Sequence, residues 1–173
     1  MRFWPTFAVL SLWFLPVPAS AVDRGEASLS AGAGLAVAAQ DQSRAGAQVE
    51  FRALRGLGDS WAARLGLQTA WIPTSGSAVH FTTQSAGVTW AADVLRLVPF
   101  ADFGVAVADI RGGGLRGNQR LGPQLGIGAD YLLSRHLALT LLARGDYFAL
   151  RLAGGRETPP TQITVGLHLA RVF

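Results

Sequence analysis

The chain has no cysteine, no lysine, a single methionine and few charges of either sign. Without cysteine no disulfide scaffold is possible, so the fold must hold by packing and hydrogen bonding alone. Only 15% of residues are charged, against roughly 25% in an ordinary soluble domain. Every basic residue is arginine, which we take as a compositional bias of the genome and not as a functional signal. A net charge of +4 invites a nucleic-acid reading, but the arginines are scattered, with no basic helix or cluster, so no nucleic-acid interface is expected. After residue 21 no apolar run is long enough for a membrane-spanning helix. There is also no phosphate-binding loop, no cofactor motif and no metal-ligating cluster, so neither cofactor nor metal is expected.

What is present is apolar and small. Half the residues are hydrophobic and 21 are glycine. A length of 173 residues suits one domain. Arg2 followed by the apolar stretch Phe3 to Val17, then Ala19-Ser20-Ala21, has the three parts of a secretory signal peptide. Pro5 and Pro16 argue against a long anchoring helix in that stretch. Cleavage after Ala21 is expected, leaving residues 22–173 as the mature domain, 173 − 21 = 152 residues. If that domain lies in a membrane it must be a closed barrel, because only helices and closed barrels satisfy their backbone groups in lipid.

The dominant pattern is alternation with a period of two, the period of a strand. At the C-terminal end, Val165, Leu167, Leu169 and Phe173 share one face, while Gly166, His168 and Ala170 share the other. Seven earlier stretches repeat the pattern. Leu29 to Val37 is the first and Val49 to Ala53 the second. Trp61 to Trp71 is the clearest. Ala86 to Ala92, with an indistinct start between Val79 and Ser85, is the fourth. Ala101 to Val107, Leu121 to Tyr131 and Leu137 to Tyr147 complete the set. Eight strands result, most of the roughly 9–11 residues that a tilted strand needs to cross a bilayer and longer than ordinary soluble strands. The expected fold is all-β, an eight-stranded antiparallel up-and-down transmembrane β-barrel.

Residue size decides which face is inside. One face carries Leu, Val, Ile, Trp and Phe. The other carries Gly, Ala and Ser together with Glu50, Arg52, Arg64, Asp102, Arg144 and Asp146. An eight-stranded interior has little room, so the large apolar face is expected outside, against lipid. Three acids and three arginines inside must then neutralise one another in an ion-pair network. Trp61, Trp71, Trp90, Phe103, Tyr131, Tyr147 and Phe173 are read as lying near strand ends, where aromatic girdles form. The competing arrangement is a soluble, exported, lipocalin-like barrel with the apolar face inside.

On these features the chain resembles the small eight-stranded outer-membrane β-barrels of Gram-negative bacteria, the OmpA/OmpX-like family. The resemblance rests on Phe173 with Leu169, Leu167 and Val165 behind it. It rests also on Asp93 to Phe100 (D-V-L-R-L-V-P-F) and Gly128 to His136 (G-A-D-Y-L-L-S-R-H), both like strand–turn–strand segments of such barrels. It implies residence in the cell outer membrane, in contact with its lipid. It also implies that Val165, Leu167, Leu169 and Phe173 form the signal read by the barrel-assembly machinery. Arg171 departs from that signal by standing where the family has an aromatic or apolar residue; an arginine at a membrane edge can snorkel to water. The family's peptidoglycan-binding C-terminal domain is expected to be absent.

With both ends of the barrel on the periplasmic side, Gln40–Gly46, Pro73–Thr82, Arg111–Asn118 and Arg151–Pro160 are expected as outer loops. Gly58–Ser60, Val94–Val98 and Leu133–Arg135 are expected as periplasmic turns. Arg44, Arg111, Arg116, Arg151 and Arg156 then stand where lipopolysaccharide phosphates would be, as candidate contacts. The histidines do not assemble a catalytic set in sequence. His80 lies near a loop, His136 at a turn and His168 on the inner face, and no His-x-Ser-Asn-type element is present. The expected role is non-enzymatic, structural, surface-interacting or a narrow pore with a polar lumen, in a monomer. The alternative is a barrel enzyme acting on lipid A or phospholipid.

Overall fold

The computed structural model describes residues 25–39, 44–74, 77–92, 96–112, 115–153 and 161–173. The predicted signal peptide, residues 1–21, and Arg156 lie outside them. The described residues form nine strands: β1 (Ala27–Ala39), β2 (Arg44–Gly56), β3 (Trp61–Thr74), β4 (Ser77–Ala91), β5 (Leu97–Gly112), β6 (Leu115–Ser134), β7 (Leu137–Tyr147), β8 (Leu150–Ala153) and β9 (Thr161–Val172). All pair antiparallel, in the order β5-β4-β3-β2-β1-β9-β7-β6-β8, and β5 also pairs with β6, so the sheet closes. β7 and β8 lie end to end against β6: Gln124 to Ser134 face β7, and Gln119 to Leu121 face β8. They are one wall position broken at Phe148-Ala149, so the barrel has eight positions round its wall.

The faces fall as residue size predicts. Leu35, Leu65, Leu125 and Ile127 are each at least 60% exposed on the outside. Glu50, Arg64, Asp102, Arg144 and Asp146 are at most 2% exposed inside. Such an inside-out arrangement is untenable in water and is what a lipid environment requires. The aromatic rows are also ordered. Trp61 pairs with Trp90 at the end of the β2–β3, β4–β5 and β6–β7 connections, near Tyr131 and Phe173, while Trp71 and Tyr147 stand at the other end. Phe103 is a correction: it sits mid-strand, opposite Val88 and Leu125, and belongs to the apolar belt.

The hairpins expected as outer loops depart from that expectation. Pro73 pairs with Ala78 and Thr74 with Ser77, so most of Pro73–Thr82 is ladder and β4 starts at Ser77. β5 runs to Gly112 and β6 resumes at Leu115, so Arg111 and Arg116 lie in strands. Arg44 opens β2, and Arg151 lies in β8. The physical reason is that glycine and proline, the turn signals in these stretches, weaken a strand without forbidding it. A hydrogen-bonded neighbour overrides the preference, and only the turn itself needs special geometry. Gly112 supplies that geometry, with φ +93° and the Ala78 carbonyl against the place where a Cβ would stand. At the other end, Leu57 and Gly58 both donate to the Trp61 carbonyl, closing the tight turn read from the sequence. The neighbouring turns are offset from the predicted ones: Leu97 and Val98 belong to β5, and Leu133 and Ser134 to β6.

Candidate functional site

The interior is built in layers. Glycines on the inner face make the room that large charged side chains need. A Cβ on Gly104 would stand 2.9 Å from Arg64 Nη2, and one on Gly166 would stand 3.1 Å from His168 Nε2. A Cβ on Gly32 would run into the His168 ring. Arginine and histidine therefore fill volume that neighbouring strands leave open, which is how so narrow a barrel holds the buried Arg52, Arg64, Arg120 and Arg144.

Asp102 is the hub of the middle layer. It accepts from Arg52 Nη2 at 2.9 and 3.1 Å and from Thr89 Oγ1 at 2.6 Å. Arg64 Nε and Arg144 Nη2 each stand 3.7 Å from the same carboxylate. Arg144 reaches Glu50 at 2.6 Å, and His168 Nε2 lies 3.7 Å from the other Glu50 oxygen. Arg64 also donates to Ser85 at 3.1 Å. Five of the six predicted network residues are thus brought together. Asp146 is the sixth and departs from the expectation: its partner is Gln124, which donates to it at 2.6 Å, and no ion pair holds it among the described residues. Sequence reasoning left out Thr89, Ser85 and Gln124, along with Asp130, which accepts from Thr140 at 2.5 Å. Their inward parity on each strand was the available signal.

The lumen is not polar throughout, which corrects the expected polar packing. Above the charged layer lies an apolar stopper of Ile72, Phe81, Ile110 and Phe148 with Ala36, Ala70, Ala106 and Ala108. Below it, Phe100 and Val98 are buried, and the Arg52 guanidinium lies 5.2 Å from the Phe100 ring centre. The middle charged layer is thus flanked by bulky apolar side chains at both ends, where buried Arg120 and Asn118 stand level with Ala108 and Ile110, and Asp130 stands level with Val98. The arrangement excludes bulk water from the network and strengthens its electrostatics.

The rim residues are spread out. Arg111 is exposed at the outer end of β5 and pairs with Asp109 at 2.6 Å. His80 lies beside Arg111 in register, with Trp71 on its other side and the Trp71 and His80 rings edge to face at 6.5 Å. Arg151 is exposed in β8, whereas Arg44 is half-buried and has a partner. The side chain of Arg116 lies outside the described residues, as does Arg156. Val165, Leu167, Leu169 and Phe173 all face outward on and just after β9, and Arg171 stacks on Phe173 at 5.1 Å. Among the described residues no group of three or more His, Asp and Glu side chains is arranged to hold a metal ion.

A closed eight-position barrel, apolar outside and charged inside, has the fold of the small outer-membrane β-barrels. Solved structures of that class superpose on it. Neisserial surface protein A matches with a TM-score of 0.71 at 14% identity, over 87% of this chain and 100% of that one. The attachment invasion locus protein Ail of Yersinia pestis matches with a TM-score of 0.63 at 10% identity, over 87% of this chain and 99% of that one. A major outer membrane protein of Thermus thermophilus matches with a TM-score of 0.60 at 18% identity, over 85% of this chain and 99% of that one. No protein-family model matches the sequence, and no curated protein does. At such identities the likeness is one of fold.

Proposed function

We propose that the protein is an integral outer-membrane barrel of structural and surface-interacting role, monomeric and non-enzymatic, whose lumen does not conduct. The observation that carries this reading is the stoppered interior: Ile72, Phe81, Ile110 and Phe148 above the Arg52–Asp102–Arg144–Glu50 network, and Phe100 below it. A pore needs a continuous wet path, and a lumen filled at every level by buried side chains, bulky apolar ones among them at both ends, removes one. Planar-bilayer recording tests it. The purified barrel is expected to give no discrete current steps. Reproducible unitary steps at moderate voltage would replace this reading with that of a narrow pore.

The exposed Arg111 and Arg151 at the outer end favour contact with anionic groups there, of which lipopolysaccharide phosphate is the one at hand in that leaflet. Val165, Leu167, Leu169 and Phe173 supply an outward apolar edge for the assembly machinery to read. The enzyme alternative has one discriminating residue, His80, the histidine on the outer face beside an aromatic ring. On our reading His80→Ala changes no lipid, assayed by mass spectrometry of lipid A and phospholipid from expressing cells. A lipid product made by the wild type and lost in the variant would establish the enzyme.

A further inference from the structure

The outer wall is not uniformly convex. A groove of about 550 Å³ crosses it over β7, β9, β1, β2 and β3. That volume lies within the roughly 300–1,000 Å³ of ligand-sized clefts. Register explains the hollow. In one cross-strand row Leu169, Ala31, Phe51 and Leu67 lie side by side; in the next, Arg171, Leu29, Ala53 and Leu65 do. Ala31 and Ala53 form the floor between walls of Leu29, Phe51, Leu65, Leu67 and Leu169. The groove is apolar along its length and ends at Arg171, a guanidinium on the lipid-facing side. Its open end meets a basic rim. Arg55, Arg96, Arg135 and Arg171 are exposed at the end of the barrel that carries the β2–β3, β4–β5 and β6–β7 connections, against Asp59 as the exposed acid there among the described residues.

We propose that this groove is a specific site for an anionic phospholipid of the periplasmic leaflet. Its acyl chain lies over Ala31 and Ala53, and its phosphate is held by Arg171 at the rim. The inference rests on the reading that the barrel sits in the outer membrane with its β2–β3, β4–β5 and β6–β7 connections toward the periplasm. Two features select a lipid as occupant. A groove facing hydrocarbon gains little from burying apolar surface unless shape makes it fit a chain better than flat wall does. A guanidinium placed in a low-dielectric rim gains most from a phosphate, which it can hold through two hydrogen bonds.

The test is native mass spectrometry of the barrel released from phosphatidylethanolamine vesicles containing a minority of phosphatidylglycerol. The wild type is expected to retain phosphatidylglycerol in preference to the bulk lipid. Ala31→Trp fills the floor and is expected to cut retained lipid about tenfold, the factor that corresponds to roughly 1.4 kcal/mol. Arg171→Gln is expected to keep a lipid but lose the preference for the anionic one. Val105→Trp, on β5 across the barrel, serves as the control and is expected to behave as wild type. Equal lipid retention by Ala31→Trp and wild type overturns the proposal. A barrel dimer that Ala31→Trp dissociates, with no lipid in the groove, overturns it as well, because a second copy is then the occupant. Each protein is first checked for a heat-modifiable shift on gels. A wild type that neither enters vesicles nor shifts overturns the membrane reading itself, whereas one that does both and shows no preference overturns the groove alone.

Discussion

Within the lumen, residues that look equivalent in composition have unequal weight. Arg144 is the close partner of Glu50, at 2.6 Å, and His168 lies farther off at 3.7 Å. Removing Arg144 strands a buried carboxylate. Asp102 has deeper support: without Arg64 it keeps both contacts from Arg52 and the hydroxyl of Thr89. Breaking a buried pair from one side costs about 3–5 kcal/mol, and losing a hydrogen bond made by a charged group, as Arg64 makes to Ser85, costs about 1.5–3 kcal/mol. We therefore expect Arg144→Ala to fall in the first range and Arg64→Ala in the second, read from urea unfolding of vesicle-inserted barrel by tryptophan fluorescence. Arg111→Ala, at the exposed rim, is expected to leave the unfolding midpoint where it is. If Arg144→Ala unfolds together with Arg111→Ala, the lumen network does not hold the fold. This hierarchy was only partly legible in the sequence. Parity placed Glu50, Arg52, Arg64, Asp102, Arg144 and Asp146 on the inner face. It could not say that Asp102 gathers three arginines while Asp146 turns to Gln124, because partner choice depends on the stagger between strands.

Strand by strand, alternation showed the barrel clearly, since each outward face must satisfy lipid and each inward face a narrow lumen. The outer hairpins were less legible because glycine, serine and arginine near Gly112 and Ser77 carry turn chemistry while sitting in ladders. The apolar stopper was the largest omission. Ile72, Phe81 and Ile110 occupy inner-face positions on strands that end beyond the predicted boundaries, and Phe148 lies in the break between β7 and β8. That break is shaped by Gly122, where a Cβ would collide with the Tyr147 carbonyl. Phe148 is fully buried, so Phe148→Ala removes a large side chain from a packed cluster. The expected loss is about 3–5 kcal/mol of stability, measured by the same unfolding. A neutral result would mean that the outer end of β7 carries no packing. A second element-scale expectation concerns Gly104, where an added Cβ would stand 2.9 Å from Arg64 Nη2 and closer still to the Ala86 carbonyl. Gly104→Ala is expected to destabilise by about 1–3 kcal/mol, the range for overpacked interiors. Stability equal to wild type would show that both Arg64 and the β4 backbone at Ala86 can move aside.

The proportions of the whole barrel are set by β3, whose two tryptophans mark its ends. Trp61 and Trp71 are ten residues apart, on the same face, and Trp61 pairs with Trp90. Ten residues of strand span about 33 Å. Tilted by 35–45°, that becomes roughly 25 Å of height, the thickness of the apolar band of outer-membrane barrels. Trp61 and Trp90 should therefore sit at one interface and Trp71 at the other, with no tryptophan of β1–β9 at the bilayer centre. Lipids brominated at defined depths measure this directly. Bromines close to the headgroup are expected to quench the fluorescence more strongly than bromines at the chain ends. Single-tryptophan variants retaining Trp61 or Trp71 should give the same shallow profile. Strong quenching from the chain ends would shift the belt relative to the lipid and break the match between strand length and bilayer. No quenching at any depth would place the barrel in water, where the exposed Leu35, Leu125 and Ile127 have no physical account.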